Sequence, residues 1–189
     1  MNIGLFFGSF NPIHVGHLII ANYIANHKNV DQVWLVVSPQ NPLKQANSLL
    51  NEYHRLHLVA SAIDENSRVK ASDIEFKLPK PSYTIDTLTY LSEKYPQHTF
   101  SVIIGSDSFQ NIQRWKNFEK LLETYKIWVY VRPGHEAENK YNGDIEILKG
   151  PLLDISASYI RSLIQSKKSI QYLIPDKARF EIENNNYYL

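Results

Sequence analysis

Two histidines three positions apart, His14 and His17, close a segment that reads Gly8-Ser9-Phe10-Asn11-Pro12-Ile13-His14-Val15-Gly16-His17. On the first turn of a helix such a pair projects from one face, where both imidazoles can donate hydrogen bonds to one anion. Gly8 lets the backbone come close to a ligand. A helix opening at the histidines adds unpaired N–H groups and a positive dipole end, so the three parts together describe a phosphate site. A histidine pair could instead bind zinc. That chemistry usually takes three protein ligands, and the chain has neither an HExxH motif nor any cysteine. The other histidines, His27, His54, His57, His98 and His135, show no ligand-like grouping. His54 and His57 repeat the i, i+3 spacing in mid-helix and are expected on the surface.

A second set of candidate anion ligands lies near the other end: Ile155-Ser156-Ala157-Ser158-Tyr159-Ile160-Arg161. Ser156 suits a helix N-cap. Ser158 and Arg161 then share the face of the first turn, and the guanidinium offers a rigid fork of donors matched to phosphate oxygens. For so short a segment a capped surface helix with a solvated arginine is the plain alternative.

The elements that must hold these residues follow from the apolar pattern. Short apolar runs predict strands over 3–7, 32–37, 69–71, 99–104, 127–131 and 145–148. Helical periodicity falls between them, over 14–27, 52–64, 82–95, 115–123, 156–165 and 176–185. In the second helix Leu56, Val59, Ala60 and Ile63 form the expected apolar face. This βαβα alternation implies an α/β fold: a mostly parallel sheet, doubly wound, with helices on both faces. Right-handed crossovers gather the loops after the strands along one edge, where such folds bind ligands.

Composition limits the function classes. The 189 residues suffice for one α/β domain with its own core, 1–189. A formal net charge of +1, without like-charge blocks, argues against nucleic-acid binding driven by bulk charge. The absence of cysteine removes disulfides and thiol catalysis. The first strand begins too close to Met1 for a signal peptide, and no apolar stretch approaches the ~20 residues of a membrane helix. The expectation is a cytoplasmic protein that meets no membrane. Tyr- and Leu-rich surfaces leave a homo-oligomer open.

With these residues in view, GSFNPIHVGH resembles the HxGH motif of the nucleotidyltransferases, in the form preceded by G-[ST]-F-[ND]-P. ISASYIR resembles the ISSTxxR motif of the same superfamily, with Ala157 in place of one hydroxyl. Between them stand Pro81-Ser82-Tyr83-Thr84-Ile85-Asp86-Thr87-Leu88, then Ile104-Gly105-Ser106-Asp107 with Trp115 downstream, then Arg132-Pro133-Gly134. This set resembles the bacterial nicotinate-nucleotide adenylyltransferases, with P-S-Y-T-x-x-T-L, I-G-x-D and R-P-G. The segment Tyr172-Leu173-Ile174-Pro175 before the last helix also fits. Leu43 stands where many members carry histidine, before Lys44.

The resemblance implies a Rossmann-like fold and adenylyl transfer from ATP, with Mg²⁺, to nicotinate mononucleotide. It implies an ATP site of Gly8, Ser9, Phe10, His14, His17, Gly105, Asp107, Ile155, Ser156, Ser158 and Arg161, of which His14, His17 and Arg161 are catalytic. It implies an acceptor site of Lys44, Tyr83, Thr84, Asp107, Trp115 and Arg132. No protein metal ligand is expected, so Mg²⁺ would be held mostly by phosphate and water. The residues themselves leave alternatives. Trp115 is a stacking platform for a pyridine ring or a core residue. Asp107 accepts from ribose hydroxyls or caps a helix. Lys44 binds phosphate or is a solvated loop lysine, and Tyr83 packs on a sheet edge or meets the acceptor. Rival functions are another acceptor within the superfamily, nicotinamide mononucleotide or phosphopantetheine, and a non-catalytic ATP-binding module.

Overall fold

The computed structural model describes residues 1–40, 49–151 and 153–189. Six strands form one sheet: β1 Asn2–Gly8, β2 Gln32–Val37, β3 Val69–Ser72, β4 Thr99–Gly105, β5 Lys126–Tyr130 and β6 Ile145–Leu148. Their order is β3-β2-β1-β4-β5-β6, and every pairing is parallel. The helices are α1 Val15–His27, α2 Glu52–Ile63, α3 Thr84–Lys94, α4 Ser106–Phe109, α5 Phe118–Thr124, α6 Ala157–Gln165 and α7 Asp176–Asn184. No helix among the described residues is long and apolar enough to cross a membrane.

Alternation along the strands sends neighbouring side chains into two cores. Leu5 and Val36 point to one face, Phe6 and Leu35 to the other. The Phe6 face is covered by α1, α2, α6 and α7 through Ile20, Ile24, Leu58, Val59, Ile160 and Ile182. The Leu5 face is covered by α3, α4 and α5 through Leu88, Leu91, Phe109 and Leu121. From β1 the chain winds outward through β2 and β3 with helices on the first face. It then returns to β4 on the other side of β1 with helices on the second. The expected doubly wound α/β fold is the one observed, with a sheet wholly parallel rather than mostly so.

Boundaries shift where a side chain has another task. His14 is the N-cap of α1, so the helix begins one residue later than its periodicity suggests. Trp115 closes a 3-10 turn, Ile112–Arg114, and α5 starts only at Phe118. The face of α2 is rotated from the expected one. Arg55, Leu58, Val59 and Ile63 are buried, Leu56 is half-buried and Ala60 is exposed. Periodicity in apolar residues could not include Arg55, a cation with 0% exposure.

Leu91 is fully buried on the α3 face, away from the carboxyl ends of the strands. Leu91→Ala is expected to lower stability by about 3 kcal/mol through lost burial and a residual cavity. Urea denaturation followed by circular dichroism measures this, and an effect under about 1 kcal/mol would show that the site collapses freely.

Candidate active site

The connections after β1 and after β4 depart to opposite faces of the sheet. Between the carboxyl ends of these adjacent strands a crevice opens, where open α/β sheets bind their ligands. A cavity of about 540 Å³ occupies it. Gly8, Ser9, Phe10, His14 and His17 line it from the β1–α1 connection, and Ile155, Ser156, Ser158 and Arg161 line it from the start of α6. Gly105, Asp107, Trp115 and Arg132 contribute from the connections after β4 and β5. The two expected phosphate elements, far apart in sequence, face one space.

His14 and His17 stack on each other with ring centroids 3.7 Å apart. The His14 backbone N–H donates to Nδ1 of His17 at 3.3 Å. Nδ1 is therefore the acceptor, which places the proton of a neutral His17 ring on Nε2. Edge contacts from Phe10 and Phe6, at 5.0 and 6.0 Å between centroids, fix that ring from the other side. Phe10 thus reaches the cavity by its backbone while its ring is buried beneath Gly8. Gly16 keeps the approach to the His14 ring relaxed: a Cβ there would sit 3.1 Å from that ring, a tight contact. His14 is only 4% exposed, and burial, then the nearby Arg132 charge, lowers its pKa to about 4. At neutral pH it is an uncharged imidazole.

The cationic groups are arginines. Arg161 donates from Nη1 to the Asn11 carbonyl at 2.7 Å, tying α6 to the β1–α1 connection. Ser156 is the N-cap of α6 and accepts from the Tyr159 N–H at 3.2 Å. Arg132 pairs with Asp107 at 3.0 Å and donates to the Ile155 carbonyl at 3.3 Å. It therefore stands beside His14 and the start of α6, among the residues expected to meet ATP. Gly105 permits this pair, since a Cβ would fall 2.4 Å from Asp107 Oδ1. The dipoles of α1 and α6 add positive potential at the cavity. The first amide of α1 is already engaged, donating from Val15 to the Leu173 carbonyl at 3.0 Å. That bond gives the Tyr172–Pro175 segment a physical role.

On the β4 side Trp115 is half-buried against the Leu5-side core and also lines the cavity. Tyr83 and Thr84, at the start of α3, do not line the cavity. Tyr83 is linked to that side indirectly, with the ammonium of Lys116, the neighbour of Trp115, 4.9 Å from its ring centroid. Lys44 lies outside the described residues. His54 and His57 are exposed, partnered by Tyr187 and Glu181. Among the described residues no group of three or more His, Cys, Asp or Glu is placed to hold a metal ion.

Sequence reasoning missed Asn11, Ser38 and Arg55. Asn11 is buried, and its side-chain oxygen accepts from the Leu50 N–H at 3.1 Å. Ser38 donates its N–H to the Gly8 carbonyl at 2.9 Å. The one legible signal was an arginine at position 55 in register with Leu58 and Val59 on a helix.

A cytidylyltransferase-like family model matches residues 5–163. A protein of Cytophaga hutchinsonii, described as a probable nicotinate-nucleotide adenylyltransferase, is 52% identical over all of this chain and 98% of its own. One of Flavobacterium psychrophilum with the same description is 47% identical, covering 100% of this chain and 99% of its own. The chain belongs to the nicotinate-nucleotide adenylyltransferases of the cytidylyltransferase-like family. The fold of this adenylyltransferase matches that of the Plasmodium falciparum nicotinic acid mononucleotide adenylyltransferase complexed with NaAD. The TM-score is 0.86 at 24% identity, over 99% of this chain and 97% of the other.

Because an unfolded histidine titrates near 6.5 and His14 near 4, the unfolded chain binds the extra proton first on acidification. The stability linked to His14 is complete above about pH 6.5 and is lost as pH falls towards 4, at up to about 1.4 kcal/mol per pH unit. His14→Gln should flatten the decline of melting temperature between pH 6.5 and 4. A variant with the wild-type slope would show that His14 does not carry it.

Proposed function

We propose that this chain transfers the adenylyl group of ATP to the phosphate of nicotinate mononucleotide, releasing pyrophosphate and forming the deamido dinucleotide of NAD biosynthesis. The observation that carries this reading is the convergence of His14, His17, Ser158 and Arg161, from two helix N-termini, on a cavity that Trp115 flanks at its other end.

The acceptor phosphate oxygen attacks the α-phosphorus in line. Its new bond to phosphorus forms as the bond to the bridging oxygen of pyrophosphate breaks. The nucleophile needs no general base, because a phosphate monoester has its second pKa near ~6 and is already ionised. It also arrives with the substrate, so no covalent enzyme intermediate is formed. What remains for the protein is placement and charge stabilisation.

His17 donates from Nε2 to the α-phosphate as charge develops there. His14, neutral, acts as a hydrogen-bond donor and supplies no charge of its own. Arg161 and Ser158 hold the departing β- and γ-phosphates. Arg132, between His14 and the Ile155 carbonyl, exchanges its Asp107 partner for phosphate oxygens, and Asp107 is then left to accept from a ribose hydroxyl. Trp115 stacks on the pyridine ring of the acceptor. Mg²⁺ carried by the nucleotide would supply neutralisation of phosphate charge. The described residues do not form a cage that fits a resident ion, so no step here runs through a protein-held metal.

The test is pyrophosphate release from ATP and Mg²⁺ with nicotinate mononucleotide, nicotinamide mononucleotide or phosphopantetheine as acceptor. Nicotinate mononucleotide should be strongly preferred. Activity with another acceptor alone would overturn the acceptor assignment, and no activity with any would leave an ATP-binding module. In the same assay His17→Ala should lower kcat by roughly 10²–10³-fold with the fold intact. Near-normal turnover would discard the transition-state role.

A further inference from the structure

Arg55 is 0% exposed, yet no carboxylate pairs with it among the described residues. Its guanidinium donates to four backbone carbonyls instead. Nε reaches Leu50 at 2.7 Å, Nη1 reaches Ser9 at 2.5 Å and Ser38 at 2.8 Å, and Nη2 reaches Pro39 at 3.0 Å. Four of its five N–H groups are thereby accounted for. The carbonyls belong to three segments: the connection after β1, the connection after β2 and the start of α2. A residue needed only to fill this space would be apolar, because burying a charge without a counter-ion is costly and apolar replacements of buried charges are often neutral or stabilising. What an apolar side chain cannot do is fix the direction of a peptide plane.

That direction matters at Ser9. The Ser9–Phe10 peptide is not among the cis bonds of the chain. A planar trans peptide sets its N–H opposite its C=O. With the Ser9 carbonyl drawn to Arg55, the Phe10 N–H faces away from the guanidinium, and both Ser9 and Phe10 line the cavity. The next residues are held as firmly. The Asn11 carbonyl accepts from Arg161, and its side-chain oxygen accepts from the Leu50 N–H. Phe10 itself has φ +44°, a left-handed conformation that a free loop would seldom choose for an aromatic residue. The hydroxyl of Tyr188 is buried without a hydrogen-bond partner among the described residues, close enough to Arg55 and Arg161 to feel both charges.

We propose that Arg55 is a positioning residue for adenylyl transfer: from beneath the β1–α1 connection it orients the Ser9–Phe10 peptide so that the Phe10 amide is presented to the bound nucleotide. This rests on the reading of the cavity as an ATP site. Arg55 touches no substrate and acts through the backbone it holds.

The experiment compares wild type with Arg55→Lys and Arg55→Met. Lysine keeps the charge but loses the planar fork, and methionine keeps bulk alone. ATP and acceptor are varied separately in the pyrophosphate-release assay, and binding of α,β-methylene ATP is measured by calorimetry. Both variants should raise the KM for ATP and the Kd for the analogue by about tenfold and lower kcat, since small misplacements at a reacting centre are amplified in rate. The KM for nicotinate mononucleotide should stay within about twofold of wild type. Leu91→Ala serves as the comparison for stability loss alone, and its KM for ATP should not move.

Variants that melt earlier but bind the analogue as wild type does would make Arg55 a structural residue and overturn the proposal. So would a change confined to the acceptor KM. If neither variant folds, wild type still decides. The Phe10 amide resonance should shift on titration with α,β-methylene ATP, and an unresponsive amide overturns the proposal. A wild type that binds the analogue but turns over no acceptor would remove the functional reading and leave the Arg55 geometry standing.

Discussion

Parallel pairing of β1 with β2 on one side and β4 on the other is the constraint from which the site follows. Gly8 aligns with Val37, and Phe6 with Ile103, so the three strands end close to one level. The chain leaving β1 turns to one face of the sheet and the chain leaving β4 turns to the other. A gap between them is unavoidable, and it opens at the strand ends where helix N-termini point. A one-residue slip of β1 would send Phe6 into the wrong core and carry Gly8 away from Ser38. Core packing and site geometry therefore share one register.

Within that gap the charges among the described residues are each engaged or suppressed. Arg132 is paired with Asp107, Arg161 is bonded to a backbone carbonyl, and His14 is uncharged. Donors held in place before a ligand arrives need little reorganisation, which is the main source of electrostatic catalysis where no nucleophile has to be generated. The same arrangement limits the cost of holding several cations near one another. Burial first, and then the Arg132 charge, depress the pKa of His14, so the two positive charges do not coexist at neutral pH.

Much of this was legible before the fold was known, and the reasons differ by residue. The strands were readable because buried parallel strands are short apolar runs, and their observed bounds agree with the expected ones to within a residue or two. The two segments that line the cavity from α1 and α6 were readable because donors on one helical turn leave a spacing, as His14 and His17 do. Arg55 was not readable: apolar periodicity is blind to a buried cation whose partners are backbone carbonyls, since carbonyls leave no trace in residue type. Arg132 illustrates a second limit. Its segment was recognisable, but its position beside His14 depends on the pairing of β4 with β5. Tyr83 and Thr84 illustrate a third, because a recognisable helix start does not say how far its side chains reach. Trp115 was visible only as two alternatives, and the fold shows that packing on the core leaves it a wall of the cavity.

The contact between Arg161 and Asn11 spans 150 positions of chain. The segment that caps α1, at Leu173, lies farther on still. A nascent polypeptide emerging from the ribosome can pair β1 with β2 early, yet the cavity has no α6 wall until the chain through Arg161 has left the exit tunnel. One wall of the cavity is thus assembled from a part of the chain remote in sequence from the other, so a fragment that stops before α6 lacks both that wall and the Arg161 tie.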